Sequence, residues 1–167
     1  MAGDSIFFNY GLKYNIPFTI VRYHNVYGPR MGFLHVIPEM LVKISKQKVV
    51  EVASPEHTRS MCFIDDAVEM TIKSCEKNST NIEILNIGNQ DQEISIIILT
   101  KTIAVVLGKE IEIKTLPNTE GSPSRRCPDI TKINNMIGYL PKVKIKDGIK
   151  KTYEWYKDKL HNLSLIH

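Results

Sequence analysis

Tyr23, His24 and Asn25, in one tripeptide, and Arg59 and Arg126, well apart from it, have the types and placement for ligand chemistry. The tripeptide follows Phe18-Thr19-Ile20-Val21-Arg22, a β-rich run of the kind buried in parallel sheets. In such sheets ligands bind at the carboxyl ends of strands, which is where Tyr23-His24-Asn25 falls. Gly28 and Pro29 turn the chain sharply just beyond and leave Asn25 free to offer an amide. Taken alone, an asparagine there is more often a turn former than a ligand contact. Arg59 and Arg126 stand at or near loop edges, and a rigid guanidinium suits bidentate recognition of phosphate. A lone arginine, by contrast, is usually a solvated surface charge.

Other polar residues read more plainly. Asp65-Asp66 places acidic side chains where a helix begins, and Asp66 reads as the helix cap. His57 and His161 have no partner at metal or triad spacing and read as surface residues. Tyr153 and Lys157 form a Y-x-x-x-K pair on one face of the last helix. Trp155 and Tyr156 beside them mark a packing helix with a snorkelling lysine. Cys62, Cys75 and Cys127 are an odd count without C-x-x-C spacing, which opposes zinc and a disulfide framework and points to a reducing cytoplasm.

The elements that must position these residues alternate between helical and extended periods. Residues 4–14 read as an amphipathic helix whose apolar side carries Ile6, Phe7, Tyr10 and Tyr14. A helix from Pro38 through Ile44 follows the turn-rich loop 25–32, because proline is tolerated in a first turn. Strands are expected at 49–52, 60–64, 83–87 and 111–116, the first two flanking the polar loop 54–58. A helix starts at Asp65, another runs over 94–107 and stops at Gly108, and two more close the chain near 130–137 and 147–160. Pro117 to Pro128 is a long turn-rich segment that carries Arg125 and Arg126. This alternation defines an α/β protein.

Composition limits the rest. A length of 167 residues matches one ordinary domain, and 43% apolar with 24% charged residues excludes a disordered tail and a membrane protein. The net charge of +4 suits anionic ligands but is too mild for nucleic acid. It is uneven, with 9 basic and 11 acidic residues up to position 100 and 13 and 7 after it. The lysines at 142, 144, 146, 150 and 151 have no aromatic stacking platform among them and read as a solvated helix face. The apolar stretch Ile94 to Leu107 is shorter than the ~20 residues of a membrane span, and the opening Met1-Ala2-Gly3-Asp4 shows no secretory signal. Without one, the glycosylation patterns at 78–80 and 162–164 read as chance.

The stretch I-P-F-T-I-V-R-Y-H-N-V-Y-G-P-R-M-G, residues 16–32, resembles the extended short-chain dehydrogenases/reductases that act on nucleotide sugars, the NAD-dependent epimerase/dehydratase enzymes. The likeness continues in order through T-R-S-M-C-F-I-D-D-A (58–67), L-N-I-G (85–88) and R-R-C-P-D-I (125–130). It implies a partial Rossmann-like fold, the last part of the parallel sheet plus the small substrate-binding domain. Residues 1–32 and about 65–90 would supply sheet elements, and about 33–64 and 91–167 mainly the substrate-binding portion. By the same resemblance Asn25 contacts the sugar or diphosphate of the substrate, Tyr23 and His24 lie beside the nicotinamide of NAD, and Arg59 and Arg126 grip the diphosphate. Those arginines and a helix amino end near 36–38 would together hold a dianion.

The resemblance also has gaps. The family's G-x-x-G-x-x-G loop, its Thr/Ser and its Y-x-x-x-K pair do not precede the N-V-Y-G-P loop in these residues. The chain is therefore expected to be the carboxyl-terminal half of an enzyme about twice as long, inactive by itself. The alternative is a non-catalytic remnant or partner subunit. Such a chain would bind a nucleotide sugar, or pair with a separately encoded amino-terminal half. Because residues 17–22 would form a strand meant for a sheet interior, association with a second copy or with that half is expected. Where the family often shows a V-Y-G turn near the nucleotide base, this chain reads Glu51-Val52-Ala53, so base identity is not carried over.

Overall fold

The β-rich run after Pro17 forms β1 (Thr19–Tyr23) in a computed structural model that describes residues 2–77 and 81–160. It pairs in parallel with β6 (Glu83–Ile87), with Val21 opposite Leu85. Parallel neighbours need a crossover, and α3 (Ile64–Glu76) supplies it. The short strands β2 (Val26–Tyr27) and β5 (Cys62–Phe63) form a second parallel pair. Beneath α3 and α5 (Thr131–Ile137), Cys62, Ala67, Met70, Leu85, Ile87 and Ile133 close one apolar core.

A second, larger core lies where α2 (Val36–Lys46), α4 (Ile96–Leu107) and α6 (Ile145–Leu160) pack together over β3 (Val49–Ala53), which runs parallel to β8 (Glu112–Leu116). Leu41, Val50, Val52, Leu99, Ile103 and Tyr156 are buried there. Pro38 lies inside the first turn of α2, two residues after the helix opens. Gly148 of α6 lies against the Tyr27 hydroxyl, and a Cβ at that position would also meet the Phe63 ring at 2.9 Å. Only a glycine lets these elements approach so closely.

Several elements differ from expectation. The apolar run from Ile94 is not helical throughout: β7 (Glu93–Ser95) comes first, and the Ser95 hydroxyl then caps α4 by accepting the Ile98 N–H at 3.4 Å. A continuous apolar run conceals such a change of period. Gly108 closes α4 in the left-handed region, as its position after Leu107 predicts. The strand expected over 60–64 is divided into β4 (Thr58–Ser60) and β5, with the Met61 N–H turned to the Gln92 carbonyl. The turn-rich segment contains a short strand, β9 (Arg125–Arg126), so β4 is central in a sheet ordered β7-β4-β9.

Two polar residues also depart from expectation. Asp66 does not cap α3; Phe63 occupies the N-cap without a side-chain bond. Asp66 is 2% exposed, and its carboxylate accepts from the Tyr139 hydroxyl at 2.7 Å and from the Lys142 and Val143 N–H groups at 3.0 and 2.9 Å. It therefore fastens the segment between α5 and α6 to the start of α3. His57 is buried rather than on the surface, its carbonyl accepting the Ile96 N–H at the start of α4. His161 and the glycosylation patterns at 78–80 and 162–164 lie outside the described residues.

The first helix, α1 (Ala2–Tyr14), turns its apolar side outward: Ile6, Phe7, Tyr10 and Tyr14 are all exposed. Tyr153 and Lys157 do not act together, because Lys157 pairs with Glu154 at 2.7 Å and Tyr153 packs on the larger core. No helix among the described residues is long and apolar enough to cross a membrane.

Candidate functional site

The three-stranded sheet places the arginines. Parallel pairing of β4 with β9 sets Thr58 opposite Arg125 and Arg59 opposite Arg126. Because side chains alternate along a strand, Arg59 and Arg126 share one face while Thr58 and Arg125 share the other. Both are strand residues near loop edges: Arg59 is the middle residue of the three-residue β4, and Arg126 ends the two-residue β9. Arg59 is half-buried and donates to the Thr58 carbonyl at 2.7 Å and to the Ser122 hydroxyl at 3.0 Å. Arg126 is exposed. Among the described residues no carboxylate forms an ion pair with either one. Burial first, and then the charge of Arg126, lower the pKa of Arg59.

Asn25 completes this corner. Its backbone is left-handed, with φ 45°, a region that asparagine tolerates better than most residues. Its side-chain amide donates to the Arg126 carbonyl at 3.4 Å, and its own carbonyl accepts the Cys62 N–H at 3.2 Å. Asn25 is thus both the turn former and a part of the site.

Tyr23, Asn25, Arg59 and Arg126 meet on the wall of a cavity of about 770 Å³, within the usual size of small-molecule sites. The amino end of α2 reaches the same cavity through His35, Val36 and Ile37, where its N–H groups and dipole favour an anion. At another part of the wall stand Glu39, Lys43 and Glu51, with Glu39 paired to Lys43 at 2.6 Å and Glu51 to Lys114 at 2.7 Å. The hydrogen bond to Lys114 and its charge hold the Glu51 carboxyl below the usual range.

His24 is not on this wall. Its N–H donates to the Ile87 carbonyl at 2.8 Å, and its Nε2 lies 3.3 Å from Asn86 Oδ1. Tyr23 also borders a smaller apolar pocket of about 310 Å³ formed with Val26, Ile64, Ala67, Val68 and Thr71. Its hydroxyl is 3.0 Å from Thr71 Oγ1.

Sequence reasoning missed Ser54, Thr119 and Ser122, which line the cavity beside the arginines. Ser54 Oγ accepts the Thr119 N–H at 2.8 Å, and the Ser54 N–H donates to the Pro117 carbonyl at 3.3 Å. The turn-rich composition of 117–128 was the available signal, since a long segment of that kind needs anchors.

Parallel β-α-β units with a cavity at the carboxyl end of β1 define this as an α/β protein of the extended short-chain dehydrogenase/reductase, Rossmann-like fold. The sequence model of the NAD dependent epimerase/dehydratase family matches residues 1–88, and the chain belongs to that family. It is 32% identical over 163 residues to UDP-glucuronic acid decarboxylase 3 of Arabidopsis thaliana, covering 96% of this chain and 47% of that protein. It is 31% identical over 165 residues to UDP-N-acetyl-alpha-D-glucosaminuronate decarboxylase of Bacillus cytotoxicus, covering 93% of this chain and 50% of that one. The crystal structure of UDP-glucuronic acid 4-epimerase from Bacillus cereus, in complex with UDP-glucuronic acid and NAD, superposes with a TM-score of 0.86 at 26% identity. That likeness covers 94% of this chain and 50% of the epimerase. The chain thus spans about half the length of the curated relatives it matches.

Proposed function

We propose that these residues form the substrate-binding half of an NAD-dependent enzyme that epimerises, dehydrates or decarboxylates a nucleotide sugar. The observation that carries this reading is the pair Arg59 and Arg126, adjacent and without a carboxylate partner among the described residues, facing a cavity that the α2 amino end also enters. Two like charges held side by side are matched by a dianion, and a diphosphate is the dianion common to nucleotide sugars. Asn25 then contacts the diphosphate or the sugar. Tyr23, at the end of β1, lines the side where the nicotinamide would lie, and His24 stands next to it in the chain, off the cavity wall. When bound, NAD supplies the hydride acceptor for oxidation of a sugar hydroxyl. The odd count of three cysteines without C-x-x-C spacing suits a reducing compartment, the cytoplasm.

Calorimetric titration with UDP and with uridine tests this reading. UDP is expected to bind and to weaken as salt is raised, while uridine binds at least tenfold more weakly. Equal affinity for the two would overturn it.

A second reading, a non-catalytic chain that pairs with a partner, is favoured by the outward apolar side of α1 and by β1, whose single strand partner among the described residues is β6. The partner is a second copy or a separately encoded dinucleotide-binding half. Sedimentation of the purified chain is expected to show association; a monomer at every concentration, unchanged when that half is added, overturns this reading.

A further inference from the structure

Strand β9 is only two residues long, and it carries Arg126 into a position beside a second arginine that repels it. Something other than its own length must hold it there. On the reverse face of the sheet, Arg125 donates to Glu93 through Nε at 2.9 Å and Nη2 at 2.8 Å, a bidentate pair. The Thr58 hydroxyl donates to the same carboxylate at 2.5 Å. Glu93 belongs to β7 and Arg125 to β9, the two strands that flank β4. Their ion pair therefore passes across β4 and ties the outer strands together over Thr58. The hydrogen bonds from Arg125 and then Thr58 hold the Glu93 carboxyl below its usual range.

We infer that Glu93 and Arg125 are positioning residues: their bidentate pair fixes the register of β9 on β4 and so holds Arg126 beside Arg59 at the diphosphate. This rests on the diphosphate reading given above. The other ties are the Asn25 amide on the Arg126 carbonyl at 3.4 Å and the backbone pairing of β9 with β4, flanked by the Thr58 N–H to the Ser124 carbonyl at 2.8 Å. That pairing sets Arg126 on the face of Arg59 but spans only two residues. Two parallel hydrogen bonds of a guanidinium fork reinforce it, because they hold Arg125 on the reverse face and alternation keeps Arg126 turned to the cavity.

The test is UDP titration of the full chain carrying Glu93→Gln, Arg125→Gln, Arg126→Ala, and Glu93→Gln with Arg126→Ala. Arg126→Ala is expected to weaken UDP binding by at least about tenfold. Glu93→Gln and Arg125→Gln are each expected to weaken it by about threefold to tenfold, with uridine binding unchanged. In the Arg126→Ala background, Glu93→Gln is expected to cost nothing further. A merely structural role for Glu93 would instead give the same loss in both backgrounds, and that result overturns the inference. If Arg126→Ala weakens binding while Glu93→Gln and Arg125→Gln do not, the inference fails and the diphosphate reading stands. If Arg126→Ala itself leaves UDP affinity unchanged, the diphosphate reading fails and takes the inference with it. Should Glu93→Gln not fold, the exposed Arg125→Gln carries the same comparison.

Discussion

Arg59 and Arg126 are register partners on the parallel strands β4 and β9, two guanidiniums on one face with no carboxylate bridging them among the described residues. A fold gains nothing from that arrangement without a ligand, since adjacent like charges destabilise a strand pair. Replacing either arginine by alanine is therefore expected to lower UDP affinity by about tenfold to a hundredfold, the loss of a charge-assisted contact. The melting temperature without ligand is expected to hold or to rise slightly for Arg126→Ala. Calorimetry and a thermal melt on the same samples separate the two effects. A variant that loses stability as fast as affinity contradicts a binding role.

Asn25 combines a left-handed backbone with a side chain on the cavity wall. Asn25→Gly keeps the backbone unstrained, whereas Asn25→Ala adds about 1 kcal/mol of left-handed strain. The glycine variant is expected to melt near the parent and the alanine variant below it, with both losing UDP affinity. Equal melting of the two, read by circular dichroism, would remove the backbone part of this argument.

Much of this arrangement was legible in the residues. β1, β6, β8 and the Gly108 stop follow from β-rich runs and a glycine at a helix end. The tripeptide at the end of β1 and the two arginines were legible as candidates, because strand ends and guanidiniums carry chemistry whatever the fold. What could not be read was pairing. A strand of two residues such as β9 has no period, so its register against β4 depends on contacts between residues more than sixty positions apart. Asp66 shows the same limit: an acidic residue at a helix start resembles a cap, and only tertiary packing reveals that its carboxylate faces Tyr139 and Val143. His57, placed in a polar loop by sequence, is buried because that loop folds over the start of α4.

Asp66 itself yields a stability prediction. Its carboxylate satisfies two backbone N–H groups and a phenol, and Asp66→Ala leaves them without that acceptor. At about 1 kcal/mol for each of these part-buried hydrogen bonds, a loss of about 3 kcal/mol is expected. Asp66→Asn retains one acceptor oxygen and is expected to fall between, while Tyr139→Phe costs about 1 kcal/mol. Urea denaturation of the three variants measures the order. If Asp66→Ala is the least destabilising, the carboxylate does not fasten the segment between α5 and α6.

Alkaline pH should weaken the fold through a small set of buried acids. Burial, with lesser contributions from neighbouring negative charges, pushes the Tyr27 phenol upward, and burial with the Asp66 hydrogen bond does the same to Tyr139. Burial, aided by the Asp66 charge, raises the Cys62 thiol from 9.0 to about 12. For each group the folded value exceeds the unfolded one, so the unfolded chain releases its proton first as pH rises. The stabilisation is complete below the unfolded values, begins to fall near pH 9 as the Cys62 thiol of the unfolded chain ionises, and falls further above about pH 10 as the phenols follow. Urea midpoints are expected to be level from neutrality to about pH 8.5 and then to decline, more shallowly in Tyr27→Phe. The same burial makes a kinetic prediction, since the thiolate is the reactive form. Iodoacetamide at mildly alkaline pH is expected to alkylate the exposed Cys75 and, more slowly, the half-buried Cys127, and to reach Cys62 only after denaturant is added. Peptide mapping by mass spectrometry gives the order; early labelling of Cys62 would place it outside the core beneath α3.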